Sequence, residues 1–415
     1  MFDLKKSNKK VFLPSLFLFI GSLSLFGCNS NNDNTGYDGK VFDVSKNNDN
    51  SLQLKVEYIK DINSGSYYNL TLEGNGESKD FENKKAPWQA ISKKVKNVEI
   101  KEGVTSLGNN FFNTLNLNYF ILPESLNTIS NTSFNEGATL YLKNATCELN
   151  NVSNEYFLFS ESKPLENEEK YWHFVNSLPV LWENIKVLFI GNSFTFYHDV
   201  PSLTEEIAKS IGFNFTSDAI TRGSWTLTKF ADPNDEEGQK VYEKLTSTND
   251  YDYVILQDQS TRSYTKYADF YKAVNTLNNL VKTTQKDCEV RLYSTWGYEE
   301  GAQVLKCSIP EMEDKIKEKY DQCANSLNLK VHYVGSAFSK VYEENNEIPL
   351  YYKDNKHQSY FGSFLSAHVH VMSLLNIDSR SSTFSSYHSN EENKDWTIEE
   401  TIADVLKNAA YNICF

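Results

Sequence analysis

The distribution of apolar and polar positions along the chain changes character at about residue 185. From residue 52 to 160, short segments alternate between apolar and polar residues, which is typical of strands with one buried face. From residue 185 onward, short runs of consecutive apolar residues alternate with segments in which apolar residues recur at helical spacing. Buried strands separated by helices predict a parallel sheet covered on both faces, so we expect an α/β domain at 185–415.

This second pattern predicts the order of strands and helices in that domain. The strands are expected at 186–191, 213–220, 253–256, 290–295 and 331–335. The clearest helices are expected at 200–211, 267–284, 310–327 and 359–375. In an open parallel sheet, ligands bind beyond the carboxyl ends of the strands, so polar residues that follow the strands are candidates for a site.

Composition and charge narrow the classes of function. A length of 415 residues suggests two or three domains. The net charge of −14, without a long basic stripe, argues against general nucleic-acid binding, which needs clustered Lys and Arg. The cysteines show neither a CxxC pair nor a metal-type spacing with histidine, so we predict no metal site and no disulfide framework.

The N-terminus has the pattern of an export signal. Lysines within residues 5–10 precede an apolar run at 11–26, which is short for a membrane span but suits a signal peptide. The run ends in Leu25-Phe26-Gly27-Cys28, which resembles the lipobox of bacterial lipoproteins, although Phe26 is bulky for its position. The resemblance implies a lipid group on Cys28. The alternative is an uncleaved signal anchor with an incidental cysteine.

These features predict an extracytoplasmic protein that is lipid-anchored to the cell membrane and lies at the cell surface. We expect a signal peptide at 1–27, cleaved before Cys28. The acyl chains on Cys28 would hold the protein at the bilayer. The polar residues that follow predict a flexible tether at 28–51.

The alternating segment contains a weak internal repeat. Val98 superposes on Phe120 and Leu107 on Ile129, at an offset of 22 residues. A period of this size predicts a solenoid in which each turn supplies one strand. The repeat resembles the leucine-rich repeats of BspA-like bacterial surface proteins. The resemblance implies a small β-rich domain at 52–160 that is either a surface-binding element or a spacer, followed by a connector at 161–184.

Four polar blocks follow predicted strands or precede the last predicted helix. They are Gly191-Asn192-Ser193-Phe194-Thr195, Arg222-Gly223-Ser224, Gln257-Asp258-Gln259-Ser260 and Asp354-Asn355-Lys356-His357. Taken alone, Ser193 is more typical of a helix N-cap than of a nucleophile. The four blocks in this order resemble the SGNH (GDSL-like) hydrolases, from about residue 185 to 375, and most closely a branch that begins Gly-Asn-Ser-Phe-Thr.

The resemblance implies a flavodoxin-like three-layer α/β sandwich with a Ser-His-Asp site. Ser193 would be the nucleophile and His357 its general base. Asp354 would orient His357 and stabilise its charged form.

The resemblance also implies an oxyanion hole. The backbone N–H groups of Ser193 and Gly223 and a side-chain amide would donate to the developing oxyanion. The family usually supplies this amide from an Asn, whereas this chain offers Gln259, with Gln257 as the alternative. The family also usually has Asp before the nucleophile, where this chain has Asn192.

Together these observations favour a cell-surface lipoprotein with serine esterase activity that needs no metal or cofactor. An acetylated glycan, another short acyl ester and a lipid are all compatible substrates. The competing hypothesis is a surface adhesin or glycan-binding protein with an inactive hydrolase-like domain. It is motivated by the repeat segment and by the two glutamines in the third block.

Overall fold

The computed structural model describes residues 35–61, 65–247, 250–389 and 393–415. They form two compact units, one ending at Glu183 and the other beginning at Asn184. The predicted signal peptide and the predicted lipidation site at Cys28 lie outside the described residues. In the described part of the chain, none of the helices has the length and apolarity needed to cross a bilayer.

The N-terminal unit is built almost entirely of short strands. These are β1 Val41–Asp43, β2 Leu52–Ile59, β3 Tyr67–Gly74, β4 Gly76–Glu77, β5 Val95–Ile100, β6 Val104–Leu107, β7 Tyr119–Leu122, β8 Thr128–Ser130, β9 Thr139–Leu142, β10 Glu148–Asn150, β11 Tyr156–Phe159, β12 Tyr171–Val175 and β13 Leu178–Leu181. Short 3-10 helices lie at Thr35–Tyr37, Gln89–Lys94 and Glu168–Lys170. The strands form three sheets, in the orders β1-β2-β3-β5, β10-β8-β6-β4 and β13-β12-β11-β9-β7.

The internal repeat corresponds to parallel pairing between successive turns of the chain. Leu107 pairs with Ile129 in the β6–β8 ladder, and Phe112 forms a parallel bridge with Phe134. Both pairs have the offset of 22 residues that the sequence alignment predicts. The rings of Phe112 and Phe134 lie 6.2 Å apart within the core of the unit. Equivalent apolar residues of consecutive turns therefore stack on one another.

Two predicted boundaries of this unit are wrong. The tether was expected to reach residue 51, but β1 pairs with β2 and Val44 is fully buried. The expected connector at 161–184 contains β12 and β13, which extend the third sheet. The sequence does not reveal β1 because a strand of three residues is too short to show a period. β12 and β13 are mostly apolar but do not alternate with polar residues, so they lack the period of two that predicts the earlier strands.

The C-terminal unit has a parallel sheet at its centre. Its strands are β14 Ile185–Gly191, β15 Phe215–Thr221, β16 Tyr253–Leu256, β17 Glu289–Ser294 and β18 Lys330–Tyr333. They are ordered β15-β14-β16-β17-β18, and every neighbouring pair is parallel. This is the flavodoxin-like strand order, so the predicted fold class is confirmed. A separate antiparallel hairpin is formed by β19 Ser386–Ser389 and β20 Lys394–Thr397.

Helices cover both faces of this sheet. They are α1 Ser193–Phe196, α2 Val200–Ser210, α3 Leu227–Phe230, α4 Glu236–Ser247, α5 Arg262–Thr265, α6 Tyr267–Thr284, α7 Glu299–Leu305, α8 Ile309–Leu327, α9 Val334–Glu344, α10 Tyr360–Leu375 and α11 Glu400–Cys414. A 3-10 turn at Tyr197–Asp199 joins α1 to α2. One layer contains α2, α9, α10 and α11, and the other contains α4, α6 and α8.

The predicted strand at 331–335 ends earlier than expected. The strand stops at Tyr333, and α9 begins at the next residue. Val334, Ala337 and Phe338 are buried at helical spacing, so the apolar run that suggests a longer strand is shared with the first turn of a helix.

Candidate active site

The turn between β14 and α1 places Ser193 at the carboxyl end of the sheet. Asn192 caps the helix, because its side-chain oxygen accepts a hydrogen bond from the N–H of Phe194 at 3.2 Å. Its amide donates to the carbonyl of Trp225 at 3.0 Å, which ties the turn to the loop after β15. A Cβ on Gly191 would lie 2.3 Å from the Thr195 hydroxyl, so no other residue fits there without rearrangement. The sequence around Ser193 thus sets a tight strand-to-helix turn.

The structure brings Ser193, His357 and Asp354 together. His357 Nε2 lies 2.8 Å from the Ser193 Oγ, within hydrogen-bond distance. On the other side of the ring, Nδ1 lies 2.5 Å from Asp354 Oδ2. Since the carboxylate accepts from Nδ1–H, the neutral ring presents an unprotonated Nε2 to the hydroxyl, which is the arrangement a general base requires.

Backbone hydrogen bonds shape the loop that carries the carboxylate. Asp354 Oδ1 accepts from the N–H groups of Lys356 at 3.1 Å and His357 at 3.0 Å. Burial by itself would raise the pKa of Asp354, but the hydrogen bonds from the His357 ring and from these two N–H groups outweigh it. The pKa of Asp354 is therefore held below its usual value, and the carboxylate stays ionised next to the imidazole.

Aromatic side chains hold the His357 ring in place. Tyr197 stacks on it with ring centres 4.3 Å apart, and the Phe194 ring meets it edge-on at 5.4 Å. Trp296 is fully buried, stacks on Phe194 at 4.5 Å and donates its indole N–H to the carbonyl of Lys356 at 3.0 Å. The ring of the base is thus packed by two residues of the nucleophile turn, and Trp296 is part of the core that supports one of them.

Two backbone N–H groups near Ser193 are unengaged. Among the described residues, neither the N–H of Ser193 nor that of Gly223 has a hydrogen-bond acceptor. The loop of Gly223 is tied to the nucleophile turn, because the N–H of Arg222 donates to the carbonyl of Gly191 at 3.2 Å. A Cβ on Gly223 would meet only Phe196, at 3.8 Å, so the space at this loop is open. These two N–H groups are suited to receive an oxyanion.

The two candidate glutamines have different environments. Gln257 is buried, and its Oε1 accepts from the N–H of Asn192 at 2.8 Å and from the Thr195 hydroxyl at 3.0 Å. Its amide donates to the carbonyl of Asp258, so Gln257 supports the turn and is a poor oxyanion donor. Gln259 is partly exposed, and its amide makes only a long contact of 3.4 Å with the Ser260 hydroxyl. Gln259 therefore remains the better candidate for the amide donor.

Sequence reasoning assigned no role to Asp258, although it lies inside the third block. It is fully buried, and its Oδ1 accepts from the N–H groups of Leu227 and Gln259, both at 2.8 Å. Burial raises its pKa to about 6, against the lowering effect of these hydrogen bonds. Asp258 therefore links the loops after β15 and β16. The sequence carries no signal for this role, because it does not show that the side chain is buried.

The described part of the chain contains no cluster of three or more His, Cys, Asp or Glu side chains that could hold a metal ion. The histidines of α10 are engaged elsewhere. His370 Nδ1 lies 2.7 Å from His332 Nδ1, and His368 Nδ1 lies 2.7 Å from the Ser379 hydroxyl.

Comparisons with known proteins give similar solved structures but no family match. No known family profile and no curated protein matches the sequence. A protein from Slackia heliotrinireducens, described as a candidate SGNH hydrolase, has 22% identity and a TM-score of 0.40 over 46% of this chain and 100% of its own. A DUF4886 family protein from Bacteroides uniformis has 19% identity and a TM-score of 0.47 over 55% of this chain and 94% of its own.

A carbohydrate acetylesterase from Sinorhizobium meliloti has 15% identity and a TM-score of 0.33, over 46% of this chain and 99% of its own. At such values these likenesses carry no argument about activity. The assignment of the fold rests on the strand order and connections of the C-terminal unit itself.

Proposed function

We propose that the C-terminal unit is a serine ester hydrolase that uses Ser193, His357 and Asp354. The observation that carries this proposal is the pair of distances from the His357 ring, 2.8 Å to the Ser193 hydroxyl and 2.5 Å to the Asp354 carboxylate. Ser193 lies more than 150 positions before Asp354 and His357 in the sequence. The three side chains nevertheless meet in the order that nucleophilic catalysis needs, which is hydroxyl, imidazole and carboxylate.

The chemistry proceeds through an acyl-enzyme. His357 Nε2 takes the proton of Ser193 as Oγ attacks the ester carbonyl carbon, and Asp354 stabilises the resulting imidazolium. The tetrahedral intermediate collapses when the ester C–O bond breaks, and the leaving alkoxide takes the proton from His357. Water then attacks the acyl-enzyme in the same way, releases the carboxylic acid and returns the proton to Ser193.

The oxyanion of each tetrahedral intermediate would be held by the N–H groups of Ser193 and Gly223 and by the amide of Gln259. The unengaged state of the two N–H groups supports this assignment. Phe196 lies beside Gly223, at one side of the space next to the oxyanion. A short acyl ester, such as the acetyl ester of a glycan, is the substrate class that we propose to test.

The leaving group has fewer supporting observations. Trp225, an aromatic side chain near the site, has Arg222 and Lys229 over its ring at 4.2 and 3.6 Å. Its indole N–H donates to Asp235 at 2.9 Å. Stacking of a sugar on a face that one of these cations covers would require that cation to move.

The experiment that tests the proposal is hydrolysis of p-nitrophenyl acetate by the wild type and by Ser193→Ala. We expect the variant to lose on the order of 10⁴-fold or more in kcat/KM and all labelling by a fluorophosphonate probe. Ser326→Ala is the matched control, because Ser326 is exposed on α8 and bonds only the carbonyl of Gln322. Equal rates for the two variants would refute the assignment. A much slower rate with p-nitrophenyl octanoate would support the short acyl group.

A second candidate function is a surface binding protein whose hydrolase-like unit does not turn over. The contacts of Gln259 favour it, because its Oε1 accepts from the Thr261 hydroxyl and its Nε2 faces Ser260 within the same loop. Absence of fluorophosphonate labelling in the purified wild type, together with binding to glycans, would support this function.

We also propose that the protein is a lipoprotein of the cell surface, anchored through Cys28, and that the N-terminal unit either spaces the hydrolase from the membrane or contacts a surface partner. The basic start, apolar run and lipobox-like ending support the anchor. In a bacterial host, the full chain should partition with membranes and incorporate labelled fatty acid. Cys28→Ala should abolish the incorporation, and persistence of the label would refute the anchor at this position.

A further inference from the structure

We propose that Gln358 is a positioning residue that locks the loop of the base onto the turn of the nucleophile. The inference rests on the proposed esterase function and adds a residue that does not touch the substrate. Gln358 follows His357 directly, but its side chain is an amide and takes no part in the proton transfers of the proposed reaction.

The amide of Gln358 reaches the carbonyls of the nucleophile helix. Gln358 is fully buried, and its Nε2 donates to the carbonyls of Phe194 at 3.1 Å and Tyr197 at 3.2 Å. The carbonyl of Ser193 lies at the limit of this range, at 3.5 Å. One side chain of the base loop therefore contacts the backbone of the nucleophile and of the residues that follow it.

The helix that begins at Ser193 offers carbonyls to such an external donor. It is a single turn, Ser193–Phe196, and the last four carbonyls of any helix lack partners inside the helix. The chain then turns sharply, since His198 and Asp199 both have positive φ, at 51° and 48°. Gln358 shares these carbonyls with other donors, which are the Tyr293 hydroxyl on Phe194 at 2.9 Å, the Ser363 hydroxyl on Tyr197 at 3.2 Å and the Tyr197 N–H on Ser193. What Gln358 alone adds is a link from these carbonyls to the loop of the base.

A second contact joins the base loop to the nucleophile turn, this time through the side chain of Tyr197. The Tyr197 ring stacks on the His357 ring with an angle of 7° between their planes. The carbonyl of Tyr197 is held by Gln358, and the ring of Tyr197 in turn packs on the base. Because the two segments are joined at two points, neither Ser193 nor His357 can shift without straining a contact to the other.

The other end of the same amide argues against a purely stabilising role. Within the described residues, Gln358 Oε1 is buried and has no hydrogen-bond partner. A buried acceptor without a donor is unfavourable, and an apolar side chain of the same length would avoid it. Glutamine is thus a better choice for holding carbonyls at defined positions than for filling the space.

The test compares Gln358→Met with Gln285→Met in the full chain. Gln285 is also buried, and its amide likewise joins two segments, through the carbonyl of Leu245 at 2.6 Å and the N–H of Tyr251 at 3.2 Å. It lies near the amino end of β16, away from Ser193. We expect kcat to fall about 10–10²-fold in Gln358→Met with KM nearly unchanged, because a small misplacement of reacting groups acts on the chemical step. Gln285→Met should keep the wild-type kcat whatever its effect on Tm.

Equal kcat values for the two folded variants would overturn the inference while leaving the esterase function intact. If the wild-type protein did not hydrolyse p-nitrophenyl acetate at all, the proposed function would be refuted instead. In that case the inference is decided by the ring-nitrogen NMR resonances of His357. They should move in Gln358→Met and not in Gln285→Met, and unchanged resonances would overturn the proposal.

Discussion

Two histidine–aspartate pairs in the described part of the C-terminal unit differ in their surroundings. In the site, His357 Nδ1 lies 2.5 Å from Asp354, and on the β19–β20 hairpin His388 Nδ1 lies 2.7 Å from Asp395. The side chain of His357 is only 17% exposed, whereas that of His388 is 51% exposed. Among the described residues, a serine hydroxyl faces the second ring nitrogen only in the first pair.

This difference shows that a carboxylate next to an imidazole is not sufficient to make a general base. The carboxylate fixes the tautomer in both pairs. In the site, the ring is also packed by Tyr197 and Phe194, so Nε2 is held towards Ser193. On the hairpin the pair is exposed to water, and the second ring nitrogen is not held towards a reacting group of the described residues.

The largest expected effect separates the two histidines. His357→Gln should lower kcat/KM for p-nitrophenyl acetate by about 10³–10⁵-fold, because the proton of Ser193 loses its acceptor. His388→Gln removes an imidazole with the same kind of partner and should leave the rate within about twofold, as expected for a surface substitution. A large loss in the hairpin variant would break the comparison.

A smaller effect should separate the two aspartates. Asp354→Asn should lower kcat by about 10²–10⁴-fold, because an amide does not stabilise the imidazolium and favours the wrong tautomer. Asp395→Asn is the control and should have the wild-type rate. Since the pKa of Asp354 is held below its usual value, wild-type activity should not be lost through protonation of this carboxylate until the pH falls below the ordinary aspartate range. An Asp354→Asn enzyme with full activity would show that the two pairs are equivalent.

Among the proposed oxyanion donors, substitution of Gln259 should lower kcat more than substitution of Gly223. Gln259→Leu should lower kcat by about 10²-fold if its amide turns to the substrate in the transition state. Gly223→Ala keeps the N–H and meets only ordinary contact with Phe196, so its rate should stay close to wild type. The same rate in both variants would exclude Gln259 as the donor.

His368 extends the comparison of histidines to protein stability, because its imidazole is buried and faces the Ser379 hydroxyl instead of a carboxylate. Burial, and next the charge of Lys407, lower the pKa of His368 to about 3. The unfolded chain therefore binds a proton at His368 that the folded chain excludes. His368 alone lowers the free energy of unfolding by ~1.4 kcal/mol per pH unit as the pH falls from about 6.5 towards 3. His368→Asn should remove one proton from this slope in urea unfolding measured across that range.

Ser379→Ala is the control for this last variant, because it removes the hydrogen-bond partner of His368 but keeps the buried ring. It should retain the wild-type slope. If His368→Asn also kept that slope, the imidazole would not be the group that resists protonation.

The parts of the fold with a strong period could be predicted, and the weak ones could not. The inner strands β14, β16 and β17 could be predicted because each is a run of largely buried residues. The edge strands β15 and β18 are mostly half-buried or exposed, and their observed ends differ from the predicted bounds. The short strand β1 and the strands β12 and β13 were assigned to a tether and a connector, because pairing with a neighbour, not their own pattern, makes them strands.

The site follows the same division. Ser193, Asp354 and His357 could be found because they lie in polar blocks that follow predicted strands or precede a predicted helix, and the order of these blocks resembles that of the SGNH hydrolases. The choice between Gln257 and Gln259 could not be made, since both are amides of the same reach. Burial and hydrogen bonds distinguish them, because Gln257 supports the turn and Gln259 is partly exposed.

The sequence by itself determined the parallel α/β class, the repeat offset and the residue types of the site, because periodicity and side-chain chemistry are local properties of the chain. Only the tertiary structure decided that His357 faces Ser193 while His388 faces water, and that Gln358 holds the nucleophile turn. These properties depend on distances between segments that are remote in sequence, and such distances are set by packing of the whole unit.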